Sequence, residues 1–137
     1  IIEKCPEKFR VTIMRRMMMR VASRLAEKIG SLAIFTGENV GQVASQTLES
    51  LAAIEDAASV PVLRPLICFN KVETINLAKH IDTYDLSTLP YEDCCTVFVP
   101  KHPAIKPRVS EAKEAESMLD VEALVEDCVS RFEEIAL

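Results

Sequence analysis

Phe35-Thr-Gly-Glu-Asn-Val-Gly-Gln-Val-Ala-Ser-Gln-Thr-Leu-Glu-Ser-Leu51 is the stretch that decides the fold. An apolar run, Leu32-Ala-Ile-Phe35, stops at Thr36-Gly37, and the positions Val43, Ala44, Thr47, Leu48, Leu51 and Ile54 then recur at helical spacing. The chain therefore reads as a strand, a tight turn and a helix over 41–57. Gly37 and Gly41 are two of only three glycines in the protein, and both fall in the connection, where backbone must turn sharply or approach a ligand closely. A strand's carboxyl end feeding a helix's amino end is where open α/β sheets bind phosphate-bearing ligands. The same residues also describe an ordinary turn, and many such turns bind nothing.

Upstream, Ile13, Met14, Met17, Met18, Val21, Leu25 and Ile29 repeat close to a 3.6 period and predict an amphipathic helix over 7–29 that ends at Gly30. Arg15, Arg16, Arg20, Arg24 and Lys28 are left for another face, which reads as solvated. An arginine that points at the sheet edge could instead meet phosphate, and Arg15, in the helix's first half, becomes a candidate only through the family resemblance given below. The four methionines between 14 and 19 read as core filler at this spacing rather than as a pliable binding surface. Downstream, Val62-Leu-Arg-Pro-Leu-Ile67 is β-rich, with Pro65 limiting its second half. Asn70-Lys-Val-Glu73 then has the form of a capping box that opens a helix to about Ile81. Strand, helix, strand, helix is the rhythm of a parallel α/β sheet. Only two strands are visible, so the reading expects further strands before residue 1.

Composition sets the outer limits. The 137 residues are one domain's length, 49% apolar with a net charge of −5, which describes a globular chain rather than a disordered one. No 18-residue apolar run is present, so no membrane span is expected. The start, Ile1-Ile-Glu-Lys-Cys-Pro6, has neither a Met nor the pattern of a secretory leader and reads as a chain entered partway. The acidic balance argues against this segment gripping nucleic acid by charge alone. Five cysteines without a CxxC pair do not make a disulfide framework or a zinc ribbon, so a reducing cytoplasm is expected and no metal site.

From Thr83 to Ser110 the periodicity disappears, with prolines at 90, 100, 103 and 107 and adjacent cysteines at 94 and 95. The segment reads as a long loop with a short strand at 96–99. Loops of this length in compact domains are functional or disordered as a rule, and its Tyr, Phe, Val and Cys content argues against disorder. Adjacent exposed thiols could attack, carry a persulfide or form a mixed disulfide; buried small hydrophobes fit Cys94 and Cys95 equally. Cys68 and Cys128 read as core, and His80 and His102 as surface or helix-end residues. Ser110 and Asp120 are candidate N-caps for two closing helices, the second with a stripe of Val121, Leu124, Val125, Cys128, Phe132 and Ile135.

Four segments in this order and spacing, Ile13-Met-Arg-Arg-Met17, Thr36-Gly-Glu-Asn-Val-Gly-Gln-Val-Ala-Ser-Gln-Thr-Leu-Glu49, Leu63-Arg-Pro-Leu-Ile67 and Leu89-Pro-Tyr-Glu-Asp-Cys-Cys95, resemble the tRNA 4-thiouridine sulfurtransferase family. The resemblance spans nearly the whole chain, and the long central run is far more specific than a lone glycine motif. It implies residues 1–137 as the C-terminal part of a PP-loop ATP pyrophosphatase domain. The implied fold is a Rossmann-like, adenine-nucleotide α-hydrolase-like parallel sheet with flanking helices.

The resemblance implies a soluble cytoplasmic enzyme that adenylates a tRNA uridine with ATP, Mg accompanying the nucleotide, and replaces the activated oxygen with persulfide sulfur to give 4-thiouridine. A link to thiamine thiazole synthesis is part of it. Nucleotide contacts fall on Arg15, Gly37 and Gln46, and the sulfur-handling cysteine on Cys94 or Cys95, which the family's loop lengths do not distinguish. The implied partners are tRNA, met mainly by amino-terminal domains, and a cysteine desulfurase or other persulfide donor; an exposed sheet edge could also pair two copies. The family's Ser-Gly-Gly-x-Asp-Ser PP-loop is not among these residues, so the segment alone is expected to be inactive and to bind ATP weakly or not at all. Two rival readings stay open. One is a non-catalytic α/β interaction module, in which Arg15 points to solvent away from the Gly37 turn. The other is a PP-loop tRNA thiolase with an iron–sulfur cluster, which needs three convergent cysteines.

Overall fold

A computed structural model describes residues 1–41, 46–91, 100 and 102–135. After a 3₁₀ turn at Glu7–Phe9, helix α1 runs over Arg10–Ile29. It ends where Gly30 adopts a left-handed φ of 75° and returns its N–H to the last turn, the conformation that only glycine takes without strain. Strand β1 (Ile34–Phe35), helix α2 (Leu48–Glu55) and strand β2 (Val62–Leu63) follow. The two strands pair in parallel, Ile34 opposite Val62 and Phe35 opposite Leu63. A parallel pair needs a crossover, and α2 lies within it. Helices α3 (Lys71–His80), α4 (Tyr84–Ser87), α5 (Val109–Glu116) and α6 (Val121–Ser130) complete the described elements.

The expected α/β order with a parallel sheet is present, and among the described residues that sheet has two strands. Strand β2 stops two residues before Pro65, which cannot donate to a ladder. Helix α2 begins seven residues later than the expected start at 41, because Thr47 caps it: its hydroxyl accepts from Ser50 N at 3.1 Å and donates to the Ile105 carbonyl at 2.8 Å. The Asn70–Glu73 capping box forms at both ends, at 3.0 and 2.7 Å. Asp120 caps α6, whereas α5 starts one residue before Ser110, at Val109, with the Glu111 carboxylate accepting from Arg108 N. The short helix α4 lies in the segment read as aperiodic. The expected strand at 96–99 lies outside the described residues.

Helix α1 organises the core. One cluster joins Phe9, Ile13 and Met17 to Ala53 of α2, Ala112 and Ala115 of α5, and Val125 and Val129 of α6; a second joins Met19 to Ile54 and Val62. Met14, Met17 and Met19 are buried as core filler, but Met18 and Ile29, expected on the same stripe, are exposed. The larger correction concerns Arg16, expected on a solvated face and in fact the largest fully buried side chain, 0% exposed. It lies three residues after Ile13 and one before Met17, on the core side of the helix. The cost of burying its charge is offset by Glu116, 3.0 Å from Nε and 2.8 Å from Nη2, by Asp56 at 3.2 Å and by the Ala53 carbonyl. Arg20 shares Glu116, at 2.7 and 3.0 Å.

Candidate active site

The site is built where the two parallel strands end. Past β1 the chain stays beside the segment that follows β2: Thr36 N donates to the Leu63 carbonyl at 3.0 Å and Val40 N to the Ile67 carbonyl at 3.1 Å. The buried Asn39 amide donates to the carbonyls of Leu66 and Phe69. Thr36, Gly37, Glu38 and Asn39 are thereby held as a fixed shelf at the carboxyl edge of the sheet, with the amino end of α3 beside it. Asn39, Val40, Gly41, Cys68, Phe69, Asn70 and Lys71 line an open groove of about 470 Å³ there.

Helix α1 brings Arg15 to this shelf. Its side chain is 15% exposed, and its guanidinium pairs with the Glu38 carboxylate, one residue from Gly37. Glu38 is buried at 6% exposure, and its second oxygen accepts from Arg64 Nε at 2.7 Å and from the Thr36 hydroxyl at 3.0 Å. Arg64 Nη1 in turn reaches Glu55 at the end of α2, at 2.6 Å. One buried carboxylate thus holds two arginines, one from α1 and one from the segment after β2. Arg15 therefore meets the Gly37 turn, where a non-catalytic module would leave it pointing to solvent.

The glycines of the turn differ in kind. Gly41 has φ +82°, a backbone reason for glycine. Gly37 has no such φ, and a methyl group built on it would meet nothing within 4 Å. Neither backbone geometry nor the protein's own packing requires glycine at 37, which leaves an open face that a ligand could approach closely. Gln46 is half-buried just before the Thr47 cap, and its carbonyl accepts from Gly41 N at 3.0 Å, closing the turn.

Arg15 and Gly37 are therefore brought together, with Gln46 tied back to Gly41. Cys94 and Cys95 lie outside the described residues. Cys68 and Cys128, expected in the core, are exposed, while Cys5 is buried and burial pushes its thiol up. Cys68 lies five residues past the end of β2, in the segment that leads to α3. His80 and His102 are at the surface as expected.

Glu38 and Arg64 are not among the site residues that the sequence points to. The available signal was Arg64 itself, a charge inside the apolar run Val62–Ile67, since a charge there needs a buried partner.

Residues 1–121 match the family described as "Thiamine biosynthesis protein (ThiI)". The chain belongs to that family. A probable tRNA sulfurtransferase of Brevibacillus brevis is 56% identical over 133 residues, covering 97% of this chain and 33% of its own length. Another, of Halothermothrix orenii, is 53% identical over 135 residues, covering 97% and 34%. The chain thus spans about a third of the length of these curated relatives. Its fold matches the crystal structure of a 4-thiouridine synthetase–RNA complex with bound ATP. The TM-score is 0.87 at 42% identity, over 94% of this chain and 34% of that one. For this ThiI-family chain the expected kinship is therefore established. Among its described residues no helix is long and apolar enough to cross a membrane.

Proposed function

We propose that this chain is the C-terminal part of the PP-loop ATP pyrophosphatase domain of a cytoplasmic tRNA sulfurtransferase, in which Arg15, Gly37 and Gln46 contact ATP. The observation that carries this reading is the meeting of Arg15 with the Gly37 turn at the carboxyl edge of the parallel strands. A cation largely withdrawn from water but still partly open suits phosphate, and Gly37 leaves room for a nucleotide to approach. The similarity to a synthetase crystallised with ATP and RNA supports the same reading. ATP, with Mg, adenylates a tRNA uridine and releases pyrophosphate. The outer sulfur of a persulfide on Cys94 or Cys95, supplied by a cysteine desulfurase or other donor, attacks the adenylated carbon and AMP leaves; a second thiol then cleaves the S–S bond to the carrier cysteine, so that 4-thiouridine is released and the two thiols end as a disulfide that a thiol reductant reopens.

The remaining strands, the PP-loop and the main tRNA-binding surface belong in this reading to the rest of the enzyme, whose sheet would be Rossmann-like. Without the PP-loop amides the phosphates lack their main cradle, so the 137-residue segment alone should not bind ATP at micromolar concentration. The test is made in the complete enzyme. Arg15→Met should weaken ATP binding at least tenfold by calorimetry, and one of Cys94→Ser and Cys95→Ser should abolish 4-thiouridine formation while leaving ATP binding intact. Unchanged ATP affinity in Arg15→Met would remove the basis of the assignment.

A further inference from the structure

We propose that Glu38 is a positioning residue for the nucleotide, acting through Arg15. The proposal rests on the ATP-site reading above and adds a residue to it. Four observations point the same way. The Glu38 carboxylate is buried and receives Arg15 on one oxygen, Arg64 and the Thr36 hydroxyl on the other. The Thr36 hydroxyl and Arg64 both hold Oε2, which leaves Oε1 to Arg15. Arg64 is itself anchored at Glu55, which ties the clasp to the end of α2. Finally, Glu38 directly follows Gly37, so the group that orients the arginine and the backbone that admits a ligand belong to one rigid turn.

The charges explain why a carboxylate can sit in an anion site at all. Glu38 carries one negative charge against two arginines, and the carboxylate that balances Arg64, Glu55, is half exposed at the outer end of the clasp. The buried end of the clasp keeps a surplus positive charge beside Gly37. A lone flexible arginine would have to give up its rotamer freedom on binding. Held by Glu38, its planar fork is aimed in advance.

The test is a double-mutant cycle on ATP binding in the complete enzyme, with thermal melting of each variant to confirm folding. Glu38→Gln keeps the shape and removes the charge. Loss of one charge-assisted hydrogen bond should weaken ATP roughly tenfold, and Glu38→Gln added to Arg15→Met should change affinity by no more than about twofold over Arg15→Met alone, because the carboxylate acts only through that arginine. If Arg15→Met weakens ATP but Glu38→Gln binds like the parent, or if the two losses add, Glu38 does not position Arg15 and the proposal fails. If Arg15→Met itself has no effect, the ATP-site reading fails instead. Should Glu38→Gln not fold, Thr36→Val serves: it removes one donor to the same carboxylate at constant size and should weaken ATP about threefold in the parent and not at all in Arg15→Met. Equal loss in both backgrounds overturns the proposal.

Discussion

Replacing Glu116 with Gln should destabilise the protein more than replacing Arg16 with Met, although the two residues face each other in one ion-pair network. The difference lies in which charge each change strands. Without the Glu116 carboxylate, the fully buried Arg16 guanidinium keeps only the Ala53 carbonyl and Asp56, a partly exposed carboxylate that also serves Lys113 at 3.0 Å. Arg20 loses both of its carboxylate contacts as well. Breaking a buried pair by removing one partner costs about 3–5 kcal/mol. Arg16→Met strands less. Glu116 keeps Arg20, Asp56 keeps Lys113, and the Ala53 carbonyl alone loses its donor, a cost of about 1–3 kcal/mol. That cost is partly offset because a guanidinium no longer has to be desolvated.

The gap between the two variants is therefore about 2 kcal/mol. With a urea dependence of about 1–3 kcal/mol per molar for a protein of this size, it separates their midpoints by roughly 1 M. Urea unfolding of the 137-residue chain followed by far-UV circular dichroism reads it directly. A midpoint for Arg16→Met equal to or below that of Glu116→Gln would refute the reasoning, since it would mean that the guanidinium's packing, not its charge balance, sets the stability of the junction of α1, α2 and α5.

The same network sets the acid limit. Burial alone would raise the Glu116 carboxyl, but hydrogen bonds from Arg16 and Arg20 outweigh it and hold the group below its usual 4.5; Lys113 and Arg16 do the same for Asp56 against its burial. Their contribution is fully present above the unfolded carboxylate range of about 4–4.5 and is lost as pH falls through the lower folded values, so the urea midpoint should be level with respect to these groups above about pH 5 and fall below it, less steeply in Glu116→Gln. Asn70→Ala removes half of the capping box and should cost about 1 kcal/mol, seen as faster hydrogen exchange in the first turn of α3. Gly41→Ala should lower the melting temperature, since its left-handed φ costs a non-glycine residue about 1 kcal/mol. Gly37→Ala should melt like the parent but weaken ATP binding in the complete enzyme, and a lowered melting point there would mean that the glycine serves the fold.

What was legible in the sequence depended on whether a local signal agreed with the tertiary outcome. The strand–turn–helix reading, the Gly30 stop, the Asn70 and Asp120 caps and the α1 stripe through Ile13 and Met17 are all carried by backbone rules within a few residues. Helix α2 began late because Gln46 and Thr47 can serve as helix residues or as a cap equally well, and the Ile105 carbonyl, 58 residues away, favours the cap. Residue type alone points Arg16 to solvent, whereas its position between Ile13 and Met17 puts it in the core. Glu38 is hidden for a related reason. Between two glycines it reads as a polar turn residue, and only the arrival of Arg15 from α1 and Arg64 from beyond β2 turns it into a buried hub.

That pattern bears on how the candidate site works. Arg15 and Arg16 are neighbours in α1, and successive helix residues point about 100° apart, so one is aimed at the sheet edge and the other at α5. Glu55 and Asp56 are likewise neighbours, at the end of α2, and they anchor the two arginine systems separately, Glu55 through Arg64 and Asp56 through Arg16. The stability network and the ligand clasp therefore meet at both helices. A change in how α1 packs on α2 would alter the orientation of Arg15 at Gly37 even where the Glu38 contact survives. Substitutions in the Arg16 network are accordingly expected to weaken ATP binding in proportion to how far they shift α1, whereas Glu38 acts at the clasp itself. The separation of those two effects is what the Arg15 cycle measures.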